Sequence, residues 1–565
     1  MGKPKTDKQK QKGKQGVKLV KNNNKIRTVS ESTKTLRQLY NKLMSKDKQQ
    51  QNKGEIVKRV LKQINGNYNE ICFKHDGCRI LQGSIKYGTL EQKKEIINNL
   101  IPLLYDLING KYSIYLSAKI FKYADNKQKS EIISKVVIPN YKKILKFSGG
   151  ISFTRFIFKY GTSTFIEQLV DKYFTNYLQI PFDDIKNIVN KVEQTGDVEM
   201  KSDNIIIQQG NNIENDDLKE KIKTHLEKQL EIGVNKNFIF HGFLNKIFDY
   251  LDEKTQVYIT ELFDDDFLPF LDSAPGFELI CKLYAVSPAK TRKKIIKQFR
   301  ESLNDNLTNE TYIIFLTKIM LFTDDTKIIE KHFTKLIIET LSENFQQNPL
   351  LIKLIWNLLE PFNKKCNNPP TVNVLSYSKP YSNKKDLNKR QKEVLSSMFD
   401  DVYKIIYYET RFLLTDIVYS MLLTDFIKYL ITANDLKKTE EMLNHVISLI
   451  EIDVKSNVDT IENCILCHTI GHKTIKRIMK ELNEIQSDVA QKYEMSFCSK
   501  IAKMLQSNLD GFLKTKAIFI IVQLVEKSHT KDLIINDLNK FKGEILKNKD
   551  NKKLTGMMLL AKALN

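Results

Sequence analysis

Apolar residues recur along most of the chain at spacings of three and four. In "DGCRILQGSIKYGT", residues 76–89, Ile80, Leu81 and Ile85 share one helical face and polar residues take the other. A Gly-Thr turn follows, and "LEQKKEIINNLIPLL" opens a second amphipathic helix at Leu90. The unit then recurs. Aligned on the small residue that opens the first helix, "YSIYLSAKIFKYAD" puts Ser113 where Gly77 stands, and "GGISFTRFIFKYGT" puts Gly150 there, at steps of 36 and 37 residues. Farther on, Phe240, Gly276, Tyr312 and Leu351 fall in register at steps of 36, 36 and 39. "KQKSEIISKVV" and "AKTRKKIIKQF" supply second helices. No alternating strand pattern recurs. Helical units stacked at this period predict an all-α architecture, an α-solenoid wound into a curved superhelix.

Two interruptions break the register. Between Gly150 and Phe240 the step is 90 residues, and the excess maps to 191–220, a polar, acidic, Asn/Gln-rich stretch expected as a disordered insertion. Residues 364–390, with a Pro pair and many Ser and Asn, read as a linker loop. Helical patterning resumes over 391–565, where the register drifts. Residues 1–34 form a basic tail, with ten Lys/Arg against one Asp in the first 27; its low apolar content predicts disorder. The repeats therefore occupy 35–363 and 391–565.

Charge changes the picture from a bare scaffold. The 565 residues carry a formal net charge of +23, which points to a polyanionic partner. Abundant Lys, Asn and Ile also fit compositional drift, so charge alone does not prove a binding face. Seven scattered cysteines, an odd count, fit reduced thiols in a nuclear or cytosolic compartment. No apolar run approaches the ~18 residues a membrane span needs.

Catalytic chemistry has no visible footing. There is no phosphate-loop, H-E-x-x-H or G-x-S-x-G motif, so neither an enzyme nor a cofactor is expected. "NCILCH", with Cys464, Cys467 and His468, and His472 beyond it, has the form of a haem or zinc cluster. Helical spacing reads it more simply as core. "FDDDF", residues 263–267, reads as a surface turn rather than a cation site.

The motifs together resemble the Pumilio (PUF) repeat. "HDGCRILQ", "KYGT", "QKKEII" and "KIFKYADNKQKSEII" carry the likeness in the N-terminal repeats. "SPAKTRKKIIK", "FTDDTKIIEK", "NKKDLNKRQKEVL" and "IGHKTIKRIMKEL", in that order, are similar to the divergent nucleolar Puf-A-like branch with its CPL-type C-terminal region. That resemblance implies binding of RNA or DNA with little sequence preference. It also implies a nucleolar role in pre-rRNA processing and large-ribosomal-subunit assembly, with proteins of the pre-60S particle as partners and a monomer outside it. The alternatives are a cytoplasmic mRNA-binding translational repressor and a protein-only helical scaffold.

A base-reading Pumilio repeat places two edge-reading side chains around a stacking one on a single helix. In the first repeat these are Cys78 and Gln82, with Arg79 stacking. Later repeats lose the code: Tyr115 keeps a stacking ring, Arg155 a cation, and Glu278 puts an acid in the stacking position. The remaining candidates are phosphate contacts, Lys86, Lys111, Lys119, Lys122 and Lys159, in a groove also bordered by Lys74, Lys142, Lys143 and Lys146.

Overall fold

The computed structural model describes residues 31–45, 52–178, 220, 224–228, 237–249, 251–263, 265–457, 460–485, 488–547 and 554–564. Among these, every regular element is a helix. The chain forms two compact units, Met1–Phe165 and Ile166–Asn565.

The first unit is built from α1 (Glu31–Met44), α2 (Lys53–Ile64), α3 (His75–Tyr87), α4 (Leu90–Leu100), α5 (Ile114–Tyr123) and α6 (Ser148–Tyr160). α1 packs on α2 and α3, α3 on α5, and α5 on α6. The buried stripes are those of the apolar pattern: Ile80, Leu81 and Ile85 on α3, Leu116, Ile120 and Phe121 on α5, Phe153 and Ile157 on α6. Burial of each such side chain contributes about 1.5–3 kcal/mol. Phe121 and Phe153 join two repeats edge to face at 5.9 Å.

Local chemistry sets the repeat length. Thr89 caps α4 in a reciprocal box with Gln92, and Asp125 does the same with Gln128 in the next repeat. Each capping glutamine also reaches back one repeat: Gln92 Nε2 donates to the Gly54 carbonyl at 2.9 Å and Gln128 Nε2 to the Lys94 carbonyl at 3.1 Å. One residue thus ends a turn and ties neighbouring repeats.

The small residue that anchors the register has a steric reason. At Gly77 a Cβ would stand 2.0 Å from the Ile71 carbonyl oxygen, and at Gly150 1.8 Å from the Ile144 one, far inside non-bonded contact. Ser113 takes the equivalent place by donating its buried hydroxyl to the Leu107 carbonyl at 2.7 Å. In all three the partner lies six residues upstream, so the incoming turn crosses the helix start at backbone contact.

The second unit continues with α7 (Phe238–Phe248), α8 (Ala274–Val286), α9 (Ala289–Leu303), α10 (Glu310–Phe322) and α11 (Pro349–Leu359). Then come α12 (Pro369–Ser376), α13 (Leu387–Ser396), α14 (Ser420–Thr432), α15 (Leu436–Ser456), α16 (Gly471–Glu484), α17 (Asp488–Gln506), α18 (Ile518–Glu526) and α19 (Thr555–Leu564). α7 packs on α8, α8 on α10, α10 on α11, α14 on α15 and α16, and α18 on α19.

Some expected boundaries shift. α1 begins at Glu31, so the last residues assigned to the basic tail are helical. Residues 1–30, and the 191–220 insertion apart from Glu220, lie outside the described residues. The 364–390 segment is not a plain loop. Asn368 caps α12, and Pro369 and Pro370 sit in its first turn, where a missing N–H costs nothing. Asp386 caps α13 within the same stretch.

Candidate nucleic-acid interface

Helical spacing aligns three tiers on the first helices of three successive repeats. On α3 the stripe is Arg79, Gln82 and Lys86; on α5 it is Tyr115, Ala118 and Lys122, with Lys119 one residue beyond the buried Ala118; on α6 it is Ser152, Arg155 and Lys159. Arg79, Tyr115, Lys86, Lys122, Arg155 and Lys159 are exposed, while Gln82 and Lys119 are half-buried. Tyr115, with 65% of its surface open to solvent, stands at the stacking tier.

The last tier is a row of lysines standing over tyrosines. Each first helix ends in Lys-Tyr, so Lys86–Tyr87, Lys122–Tyr123 and Lys159–Tyr160 recur at steps of 36 and 37. The Lys53 and Lys86 ammoniums lie 4.0 and 4.8 Å from the Tyr87 ring centre. Lys93, Lys119 and Lys122 lie 5.4, 5.9 and 5.7 Å from Tyr123. Lys122 also stands 5.0 Å from Tyr160, with Lys159 at 5.8 Å, so it joins two repeats. A hydrogen bond between Lys86 and the Tyr87 hydroxyl raises the lysine's proton affinity and lowers the phenol's. Repeat geometry spaces the ammoniums along the row.

Of the sequence candidates, Arg79, Gln82, Lys86, Tyr115, Lys122, Arg155 and Lys159 share this stripe, and Lys119 borders it. Arg79 lies 5.2 Å over the Tyr40 ring of α1, which orients its guanidinium plane. Cys78 is a correction. It is 1% exposed and its thiol donates to the Cys72 carbonyl at 2.7 Å, so it cannot meet a base edge. Burial pushes that thiol up to about 11. Lys111 stands outside the stripe, before α5, beside Tyr112 at 5.6 Å. There Tyr112 meets His75 edge-on at 5.1 Å, and Phe73 is exposed as well. Sequence reasoning missed Tyr87, Tyr123 and Tyr160; their signal was the repeated Lys-Tyr ending.

The same register in the second unit carries different chemistry. The positions of Arg79, Gln82 and Lys86 become Gly242, Asn245 and Asp249 on α7, Glu278, Cys281 and Ala285 on α8, and Ile314, Thr317 and Leu321 on α10. Cys281, Ala285, Thr317 and Leu321 are buried. The chain's own 366–385 segment lies against these helices as a strap. Lys318, fully buried, donates to the carbonyls of Leu375 at 2.9 Å and Tyr377 at 2.5 Å, and stands 3.4 Å over Phe322. Arg292 donates to the Ser382 carbonyl at 2.5 Å, and Tyr381 donates to Gln256 at 2.5 Å. Asn383 donates to the Phe322 carbonyl at 2.6 Å. Burial drives the Lys318 ammonium well below the usual lysine range.

The remaining motifs have other partners. Cys464 and Cys467 are free thiols 3.4 Å apart, and Cys467 also donates to Thr515 at 3.1 Å. The His472 ring faces the His468 carbonyl at 2.8 Å and stacks on Phe519. Among the described residues, no three His, Cys, Asp or Glu side chains are grouped to hold a metal, and no helix is long and apolar enough to cross a membrane.

Residues 353–495 match the CPL (NUC119) domain family. Pumilio homology domain family member 6 of Schizosaccharomyces pombe is 21% identical over 430 residues, 74% of this chain and 63% of that protein. Its Saccharomyces cerevisiae namesake is 22% identical over 396 residues, 68% and 58% of the two chains. The chain thus spans about three fifths of the length of these curated relatives. The crystal structure of human Puf-A superposes with a TM-score of 0.66 at 17% identity, covering 94% of this chain and 99% of that one. Human Puf-A in complex with DNA gives 0.64 at the same identity and coverage. The fold is that of an all-α solenoid of stacked helical repeats. With the CPL match over 353–495 and the curated relatives, the chain is similar to the Pumilio (PUF) proteins in sequence and in fold.

Proposed function

We propose that this protein binds RNA, with little sequence preference, along the α3–α5–α6 stripe. The observation that carries the reading is the Lys86–Lys122–Lys159 row, each lysine over a tyrosine, beneath Arg79, Tyr115 and Arg155. Lysines there neutralise backbone phosphates, which positions a strand without reading it. Arg79 and Tyr115 offer two flat faces for bases, which tolerate any base. Loss of Cys78 as an edge reader, and Ala118 in the place of Gln82, leave too few edge contacts for a code. The human Puf-A complex with DNA supports a nucleic-acid ligand.

The finer role we propose is pre-rRNA processing and large-ribosomal-subunit assembly in the nucleolus, alongside proteins of the pre-60S particle. The CPL region and the lysine-rich N-terminal sequence support it. Unrelated single- and double-stranded RNAs, titrated across a salt series, test the binding. Comparable affinities that fall steeply with salt are expected; absence of binding at moderate salt would leave a protein-only scaffold. Accumulation of the protein in the cytoplasm on mRNA, rather than in nucleoli, would favour a translational repressor.

A further inference from the structure

The steric device that marks each repeat start identifies one more first helix, beyond the point where the sequence register drifts. A Cβ on Gly471 would stand 2.2 Å from the Ile465 carbonyl oxygen, six residues upstream, the same clash as at Gly77 and Gly150. Gly471 opens α16, so α16 is aligned with α3 by backbone geometry. The residue after it, His472, is buried, as Cys78 is after Gly77.

That alignment puts Lys473, Lys476 and Lys480 at the positions of Arg79, Gln82 and Lys86. Their exposure follows the same order: exposed, half-buried, exposed, in both helices. All three tiers are cationic here, whereas α7, α8 and α10 carry no basic residue in any of theirs. Lys516 stands beside them, its ammonium donating to Thr469 at 2.6 Å. His472 registers the cluster. Burial lowers its proton affinity first, a hydrogen bond to the His468 carbonyl partly restores it, and the charges of Lys473, Lys476 and Lys516 lower it further. The nearby acids leave the positive charge in excess. Glu484 pairs with Lys480 at 3.4 Å, one exposed i,i+4 contact, and Glu481 is taken by Lys428 at 3.3 Å.

We propose that Lys473, Lys476 and Lys480 form a second phosphate-binding stripe for a nucleic-acid strand, separate from the one on α3, α5 and α6. The proposal rests on the RNA-binding reading above and adds a site in the CPL region. Its ligand is the sugar–phosphate backbone, because the three tiers offer cations and no stacking ring.

The test uses the full chain and a fluorescein-labelled 30-nucleotide oligouridine. Three forms are compared: wild type, K473E/K476E/K480E and K86E/K122E/K159E. The neutral variant K473Q/K476Q/K480Q, which spares the Glu484 neighbourhood a new repulsion, is run beside them with a thermal melt. The C-terminal reversal is expected to weaken binding by roughly tenfold near 0.15 M salt and to flatten the salt slope by about 2. The neutral variant should give a smaller loss with an unchanged melt. Wild-type affinity and slope in both C-terminal variants, with a loss in the N-terminal one, would overturn the second stripe alone. No loss in any variant would overturn the RNA reading and this inference with it. Loss confined to the C-terminal variants would support the second stripe and remove the first.

Discussion

The Tyr377 hydroxyl donates a 2.6 Å hydrogen bond to the Asp249 carboxylate across 128 residues of chain. Asp249 also holds Lys282 at 2.8 Å. In repeat register Asp249 stands where Lys86 stands on α3, so a site that bears a cation in the first repeat anchors the strap in the fourth aligned unit. Burial pushes the Asp249 carboxyl up, but hydrogen bonds from Lys282 and Tyr377, with the charges of Lys282 and Lys379, outweigh it and hold the group below its usual range. Tyr377→Phe removes one bond to a charged acceptor at a half-buried place. A loss of about 1–2 kcal/mol in urea unfolding is expected. An unchanged midpoint would mean that the strap is held without this contact.

The lysine row predicts a salt signature. Reversal of Lys86, Lys122 and Lys159 to Glu should flatten the slope of log affinity against log salt by about 2, at roughly 0.7 per phosphate contact on a single strand. Lys335→Glu, an exposed lysine outside the stripe, should leave the slope unchanged. Equal effects from both would assign binding to net charge rather than to the row.

Gly77→Ala tests the repeat start. The new methyl meets a backbone carbonyl, which cannot swing aside as a side chain can. Overpacking of this kind costs about 1–3 kcal/mol, and it should appear as a lower thermal midpoint. Gly543→Ala, where nothing lies within 4 Å, should cost nothing by that route.

Trp356 is fully buried, and its indole N–H donates to Asp425 at 2.8 Å. Asp425 also accepts from Lys365 and, at 3.3 Å, from Asn363. Trp356→Phe keeps most of the apolar volume but takes one donor from a buried carboxylate. Destabilisation of about 2–3 kcal/mol by calorimetry is expected. Trp356→Ala should cost more, about 3–5 kcal/mol.

Acid should weaken the second unit. Burial, then the charge of Lys228, lowers His225 to about 4; burial also lowers His445 and His472. The unfolded chain takes up these protons near pH 6.5, and the folded chain resists them. Stability contributed by the neutral rings is therefore present above about pH 6.5 and lost as pH falls below it, for His225 towards 4. For His225 the loss is about 1–2 kcal/mol at pH 5, discounted for partial exposure. His225→Gln should remove that share of the pH dependence in melts from pH 7.5 to 5.

Much of this protein was legible in its sequence because helices bury one face in four-residue steps. Ile80, Leu81 and Ile85, then Leu116 and Ile120, had to point inward wherever the helices went, and a recurring small residue at Gly77, Ser113 and Gly150 marked each start. Helical type, repeat length and the exposure of Lys86, Lys122 and Lys159 follow from that local pattern. Three things needed the tertiary structure. Cys78 looked like an edge reader until the Cys72 carbonyl was found beneath it. Residues 364–390 read as a loop because Pro, Ser and Asn say nothing of long-range partners; Lys318, Arg292 and Asp249, distant in sequence, make the segment a strap. Gly471 lay beyond the drifting register and was recovered through its contact with Ile465. The sequence by itself determined which faces are apolar and how often they repeat, since that is local periodicity. The tertiary structure decided which polar stripes stay open and which the chain covers, since that depends on contacts between residues far apart along it.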